Sequence, residues 1–273
     1  MDLRVALNAV SDVIVNRPTP IREFDQIYMK AADMLLQAEH ISRWTDGKRV
    51  VFIGDGDAIS LCLVHLHSET IFSNGPSAIL VLDFDERVIN SINRFAFDNN
   101  IQDKISARLY NVADALPRDV WGAYDAFYTN PPFGASNCGE SVKAFIKRGI
   151  EATNNDAIGC VVIADHVTQW GQDILHVVQS FAIANGFVVA EMIPYMHQYH
   201  LDDAPDLTSC SLIFKKVKEC HTFYNSTPLS EDERKNFYGK NHSLTVRYVH
   251  ELRDLTRSHK GSYLLVPYDT KEL

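Results

Sequence analysis

The chain of 273 residues has few of the features that would place it in several large classes. It has five cysteines, Cys62, Cys138, Cys160, Cys210 and Cys220, with no C-x-x-C pair among them, and the odd number argues against a disulfide framework. No run approaches the roughly 20 apolar residues of a membrane span, and the start Met1-Asp2-Leu3-Arg4 lacks the charged and apolar regions of a secretory signal. These absences predict a cytoplasmic protein without a membrane partner. There is no fixed spacing of histidine and cysteine ligands, so no metal is implied. Internal repeats and low-complexity tracts are missing as well. Lysine and arginine form no basic stripe. With a formal net charge of −9, a grip on nucleic-acid backbone is possible but not favoured, because such a grip needs cations that displace counterions. The longest basic cluster, Lys215-Lys216-Val217-Lys218, closes a strand-like run. The acidic balance suits a small polycationic partner.

At 46% hydrophobic, the chain can bury one large core with a smaller appendage. Residues 1–47 read as an N-terminal helical cap: two helices broken at Arg17-Pro18-Thr19-Pro20, the second carrying Phe24-Asp25-Gln26 and an apolar face of Ile27, Met34, Leu35 and Ala38. Residues 48–218 alternate short apolar runs with helical patterns. Strands are predicted at 50–53, 78–82, 105–110, 124–129, 158–164, 187–193 and 209–217, with helices at 58–66, 86–99, 141–154 and 170–185. Seven strands, intervening helices and a late antiparallel pair predict an α/β domain with the Rossmann-like sheet of class I methyltransferases. Residues 219–273 are polar, with Tyr224, Tyr238, Tyr248, Tyr263 and Tyr268, and read as a C-terminal extension serving as a lid or as an oligomer contact such as a homodimer.

Asn130-Pro131-Pro132-Phe133 carries the most chemistry. It follows the apolar run at 124–129, where a buried strand ends and a doubly wound sheet opens its crevice. An amine that attacks an electrophilic carbon must aim its lone pair at that carbon and its N–H bonds at acceptors elsewhere. The Asn130 side-chain oxygen and the Pro131 carbonyl are candidate acceptors. The consecutive prolines restrict the backbone and offer no competing N–H. Phe133 offers a stacking or cation–π face. The pattern points to transfer of an alkyl group to nitrogen.

Gly54-Asp55-Gly56-Asp57 lies between a predicted strand and a predicted helix, the order of a nucleotide site, yet it lacks the third glycine of the dinucleotide fingerprint. Two aspartates there repel a pyrophosphate and favour a cationic ligand. S-adenosylmethionine and its decarboxylated form both carry a sulfonium and an amine. At the tip of the second strand, Asp83, with Asp85 second, is placed to accept ribose hydroxyls. Asp114 follows the third strand, where an adenine amino group would be read. Glu140, just after the proline motif, is a candidate to hold an amine or to cap the next helix. Asp165 and His166 end a strand from which a base could reach the pocket. Tyr195, His197, Tyr199 and His200 form a cluster able to line an acceptor channel.

With these residues in view, the chain resembles the branched-chain polyamine synthases, the bis(aminopropyl)spermidine synthase family. The resemblance spans roughly residues 17–217. It rests on the Arg17-Pro18 and Asp25-Gln26 pairs, the glycine turn, Val81-Leu82-Asp83-Phe84-Asp85-Glu86-Arg87, and Asn130-Pro131-Pro132 followed by Ala144-Phe145-Ile146-Lys147-Arg148-Gly149-Ile150. It implies aminopropyl transfer from decarboxylated S-adenosylmethionine to an amine of a polyamine. Gly54, Gly56 and Asp83 would face the nucleoside, Asp55 and Asp57 would lie near the reacting amines, and Asp25 and Gln26 would contact substrate. The chain departs from that pattern twice: Gly56 interrupts a run of three aspartates, and Asn130 stands where aspartate is usual. Each change removes a carboxylate whose charged hydrogen bond contributes about 1–3 kcal/mol, enough to alter the substrate. Asn-Pro-Pro-Phe is also the form in methyltransferases acting on exocyclic amines of nucleobases or on glutamine amides, so S-adenosylmethionine-dependent N-methylation remains an alternative. A binding protein of the same fold without turnover is a third.

Overall fold

Strand β1 (Arg49–Ile53) is apolar on both faces, and the alternation of side chains along a strand sends its residues into two different cores. Val50 and Phe52 enter one cluster with the residues of helices α1 (Leu3–Asn16), α2 (Ala31–Trp44), α3 (Ile59–Ser68) and α4 (Glu86–Asp98). Val51 and Ile53 enter the other, with α5 (Glu140–Ala152) and α6 (Gln169–Ala184). The same division recurs in β2 (Ala78–Asp83), β4 (Tyr124–Thr129) and β5 (Thr153–Ala164). A sheet covered on both faces by helices results. The computed structural model describes residues 1–165, 167–202, 204–218, 226–252 and 262–268.

With β3 (Ile105–Leu109), β6 (Phe187–Gln198) and β7 (Thr208–Lys216), the seven strands lie in the order β3-β2-β1-β4-β5-β7-β6. The strands from β3 to β5 pair in parallel, and β7 runs antiparallel to both its neighbours. This is the α/β arrangement expected from the alternation of the sequence. The direction of winding reverses between β1 and β4, so their C-terminal ends flank the crevice in which doubly wound sheets bind ligands. Helix α5 comes close to the sheet because Gly149 and Gly159 both face the Phe127 ring. A Cβ on either would fall 2.3 and 2.5 Å from ring atoms.

One element that bears on the site differs from the sequence expectation. The second N-terminal helix starts only at Ala31; Phe24 belongs to a 3-10 turn (Arg22–Phe24), and Asp25 ends that turn in the left-handed region at φ 59°. A helix cannot run through a residue of that hand, and residues 24–28 line the crevice instead of extending α2. After residue 226, where the sequence pattern weakens, a short helix α7 (Glu231–Arg234) precedes the hairpin β8 (Val246–Leu252) and β9 (Ser262–Pro267). The Val249 N–H donates to the Phe84 carbonyl at 3.0 Å, and Leu229 N–H to the Ala113 carbonyl at 2.8 Å. Arg148, fully buried on α5, pairs with Glu151 at 2.8 Å and donates to Ser226 Oγ and the Thr227 carbonyl, tying this segment to the core. Among the described residues, no helix is long and apolar enough to cross a membrane.

Candidate active site

The glycine turn after β1 is shaped by its own aspartates. Gly54 has φ 75°, which only glycine adopts without strain, and its N–H donates to the Leu82 carbonyl at 2.8 Å. Asp55 turns its carboxylate back onto the start of α3: one oxygen accepts from Ile59 N–H at 2.9 Å, the other from Ser60 N–H at 3.1 Å and from the Ser60 hydroxyl. It thereby satisfies helix N–H groups that have no partner within the helix. Burial still pushes the Asp55 carboxyl well above its ordinary value, and these hydrogen bonds only partly offset the shift. Gly56 has no positive φ, and a Cβ there would make ordinary contact with the Tyr28 ring at 3.5 Å. Asp57 is the hub. Its oxygens accept from Met29 N–H at 2.8 Å and from Asn130 Nδ2 at 2.7 Å, with the Arg17 guanidinium 3.6 Å away. Burial raises the Asp57 carboxyl, and these three partners pull it back.

Asn130 begins the loop after β4, and its orientation follows from its partner. The Asp57 carboxylate accepts only, so the amide nitrogen faces it and the oxygen is left as an acceptor. Pro131, Pro132 and Phe133 continue along the cleft wall, with Phe133 edge-on to Tyr199 at 6.4 Å. Tyr199 is held by Ser209 Oγ at 2.7 Å, and that hydroxyl also contacts buried His197 at 2.8 Å. Burial drives the His197 imidazole down to about 3, so it stays neutral. At the end of β2, Asp83 accepts one backbone N–H on each oxygen, from Asp55 and from Asp85, both at 2.9 Å. Desolvation, followed by the charge of Asp85, pushes it up to about 6.

These groups surround a cavity of about 370 Å³. The structure brings ten of the candidates named from sequence onto its wall: Gly54, Asp55, Gly56, Asp57, Asp83, Asn130, Pro131, Phe133, Asp25 and Gln26. Three others lie elsewhere. Asp85 is completely buried, caps α4, and holds Arg87 at 2.6 Å and Gln26 Nε2 at 3.0 Å. Asp114 faces the C-terminal extension, accepting from the Tyr268 hydroxyl at 2.7 Å and pairing with Arg247 at 3.3 Å; Asn111 and Val112 line the cavity in that region. Glu140 opens α5 and pairs with Lys143, while the cap position belongs to Gly139. Asp165 is also turned away, its carboxylate taken by Thr208 Oγ1 and Tyr195 N–H. His166, Cys220 and Tyr224 lie outside the described residues.

Of the aromatic lining, sequence reasoning named Phe133 and Tyr199 but not Phe24, Phe84, Phe237 or Tyr238 as wall residues, and Tyr195, His197 and His200 of the expected channel cluster do not line the cavity. Phe24 meets Phe84 and Tyr238 with ring centroids 5.4 Å from each, and Phe237 and Tyr238 bring the C-terminal extension to the cavity beside Asp83 and Asp25. The tyrosines of the extension were visible as a group, but nothing in the local sequence singles out Tyr238. The charged residues on the wall are Asp25, Asp55, Asp57 and Asp83; among the described residues, no lysine, arginine or histidine lines it. Such a site attracts cations and repels anions. Among the described residues, no group of three or more His, Cys, Asp or Glu side chains is arranged to hold a metal ion.

A family model described as the branched-chain polyamine synthase A C-terminal domain matches residues 6–251. Two proteins of Methanocaldococcus jannaschii are similar: an uncharacterized protein, 29% identical over 56% of this chain, and an N(4)-bis(aminopropyl)spermidine synthase, 30% identical over 55% of it. The aligned region spans 35% and 40% of their respective lengths. Among solved structures, a branched-chain polyamine synthase mutein from Thermus thermophilus, in complex with N4-aminopropylspermidine and 5'-methylthioadenosine, superposes with a TM-score of 0.72. The match covers 87% of this chain and 69% of that one at 21% identity, a likeness of fold.

Proposed function

The chain belongs to the branched-chain polyamine synthase A C-terminal domain family, and from that premise we propose that it transfers an aminopropyl group from decarboxylated S-adenosylmethionine to an amine of a polyamine. The observation that carries this reading is the charge of the cleft, four aspartates and no cation on its wall among the described residues. Donor and acceptor are both cationic, and a methionine carboxylate would meet only like charge there. The residues fit the donor in a further respect: Asp83 presents a carboxylate at the tip of β2 for the ribose, beside the aromatic wall of Phe84 and Tyr238.

The sulfonium of the donor supplies an electrophilic methylene carbon. The acceptor nitrogen, as the neutral amine, attacks that carbon; a C–N bond forms, the C–S bond breaks with its electron pair going to sulfur, and the resulting ammonium passes one proton to solvent water. In this reading the hydrogens of the neutral amine, two on a primary and one on a secondary nitrogen, are accepted before attack by Asn130 Oδ1 and the Pro131 carbonyl, which directs the lone pair towards the donor. Asp57 holds the Asn130 amide in that orientation through the 2.7 Å bond. Phe133 and Tyr199 line the acceptor side.

Purified protein incubated with each donor and a panel of polyamines, read by mass, tests the reading. A product heavier by one aminopropyl unit supports it. Gain of a methyl group from S-adenosylmethionine would instead favour the N-methyltransferase reading, for which the amide at position 130 is the supporting observation. Binding of donor without product from any acceptor would favour a non-catalytic protein.

A further inference from the structure

Three of the four cleft aspartates are engaged by the protein itself. Asp55 accepts from the first two N–H groups of α3, Asp57 holds Met29 and Asn130, and Asp83 takes two backbone N–H groups. Asp25 differs: among the described residues its carboxylate has no hydrogen bond, and the charge that bears on it is that of Arg22. It is also held firmly. Phe24, before it, is buried against Phe84 and Tyr238. Gln26, after it, is clamped at both ends, donating to Asp85 at 3.0 Å and accepting from Ile21 N–H at 2.7 Å. Between these anchors Asp25 sits at φ 59°, a conformation that L-residues adopt at a cost and that is often maintained where a side chain must be aimed. Burial pushes its carboxyl up to about 6, and the nearby Arg22 charge offsets this only in part. Asp25 and Asp83 both act on the Tyr238 ring, which puts Asp25 on the side of the cleft given to the nucleoside.

Resting on the function proposed above, we infer that Asp25 is the counter-ion of the donor's terminal ammonium and thereby the residue that separates decarboxylated S-adenosylmethionine from its carboxylated parent. The parent bears its carboxylate on the same carbon as the amine, so pairing the ammonium with Asp25 brings two carboxylates together. The decarboxylated donor makes the pair without that repulsion. The nucleoside thioether product has no ammonium and is indifferent to Asp25.

Calorimetric titration of the full chain with the two donors and with 5'-methylthioadenosine tests this. Asn tolerates the left-handed conformation, so Asp25→Asn keeps the backbone while removing the charge; Asp25→Gly is the second variant, free of strain at this φ. Wild type is expected to prefer the decarboxylated donor at least tenfold. Both variants are expected to lose at least tenfold in affinity for it, to bind methylthioadenosine within twofold of wild type, and to narrow the ratio between donors. An unchanged ratio overturns the inference, as does an equal loss for methylthioadenosine, which would mark Asp25 as structural. If wild type transfers an aminopropyl group and the variants keep the preference, this inference alone falls. If wild type binds none of the three nucleosides, it falls together with the proposed function.

Discussion

Replacing Asn130 with alanine removes one charged hydrogen bond, from Asn130 Nδ2 to Asp57 at 2.7 Å, and one candidate acceptor for the attacking amine. Asp57 is 5% exposed and keeps the Met29 N–H and Arg17, so its charge is weakened in support but not orphaned. Hydrogen bonds to charged groups contribute about 1.5–3 kcal/mol. If that amount is lost from the folded state, the melting temperature falls by about 3–5 °C for a chain of this length. If the bond also fixes the amide in the transition state, turnover falls by about 10- to 150-fold. Donor affinity should stay within about twofold if, as proposed, the nucleoside lies on the Asp83 side. The assay is single-turnover transfer at saturating donor, with donor binding measured separately and melting followed by circular dichroism. Full turnover in the alanine variant would remove Asn130 from the mechanism, and a large loss of donor affinity would mean that the acceptor and donor sides have been assigned the wrong way round.

Gly56→Asp should fold, since a Cβ meets only ordinary contact with Tyr28 at 3.5 Å. The added carboxylate should tighten polyamine binding about tenfold at low salt, an effect that 0.5 M salt should largely screen; no change in affinity would show that position 56 does not face the acceptor. Burial raises the Asp83 carboxyl to about 6 from an ordinary 3.8. A folded-state pKa above the unfolded one contributes stability at low pH that is lost as pH rises through about 6. Asp83→Asn should therefore remove a dependence of about 1.4 kcal/mol per pH unit between pH 4 and 6, measured by urea unfolding of ligand-free protein, and an identical slope in the variant would contradict the assignment. Arg148→Met leaves Glu151 buried without its counter-ion, with only the Ser226 hydroxyl donating to it among the described residues, and removes two ties to the segment at 226–227; the expected destabilisation is about 3–5 kcal/mol, and a melting temperature within 1 °C of wild type would show the pair to be dispensable.

Much of the fold was legible because its signals are local. A strand buried on both faces must be apolar throughout, as Val50–Ile53 and Ile79–Leu82 are, and the helices between carry a 3.6-residue apolar repeat, as in Val88, Ile89, Ile92, Phe95 and Ala96. Such patterns specify which segments pair with helices and where strands end, and in a parallel sheet the strand ends are where chemistry collects. Gly54, Asp83 and Asn130 were therefore nameable as a set and are found around one cavity.

What sequence could not decide is which way a side chain points and what comes back over it. Asp85 and Asp114 look as available as Asp83, yet one is consumed by Arg87 and Gln26 and the other by Arg247 and Tyr268. Arg87 is two residues from Asp85, but Gln26, Arg247 and Tyr268 lie 59, 133 and 154 residues from the aspartates they engage, so no local window contains them. The C-terminal extension has little periodicity of its own because it is stabilised by docking, Leu229 on Ala113 and Val249 on Phe84, and Tyr238 reaches the cleft between these two anchors. Order along the chain thus determined the architecture and the place of the site. The tertiary fold alone decided which carboxylates remain free to meet a ligand, because a charge is spent or spared according to neighbours that only folding brings near.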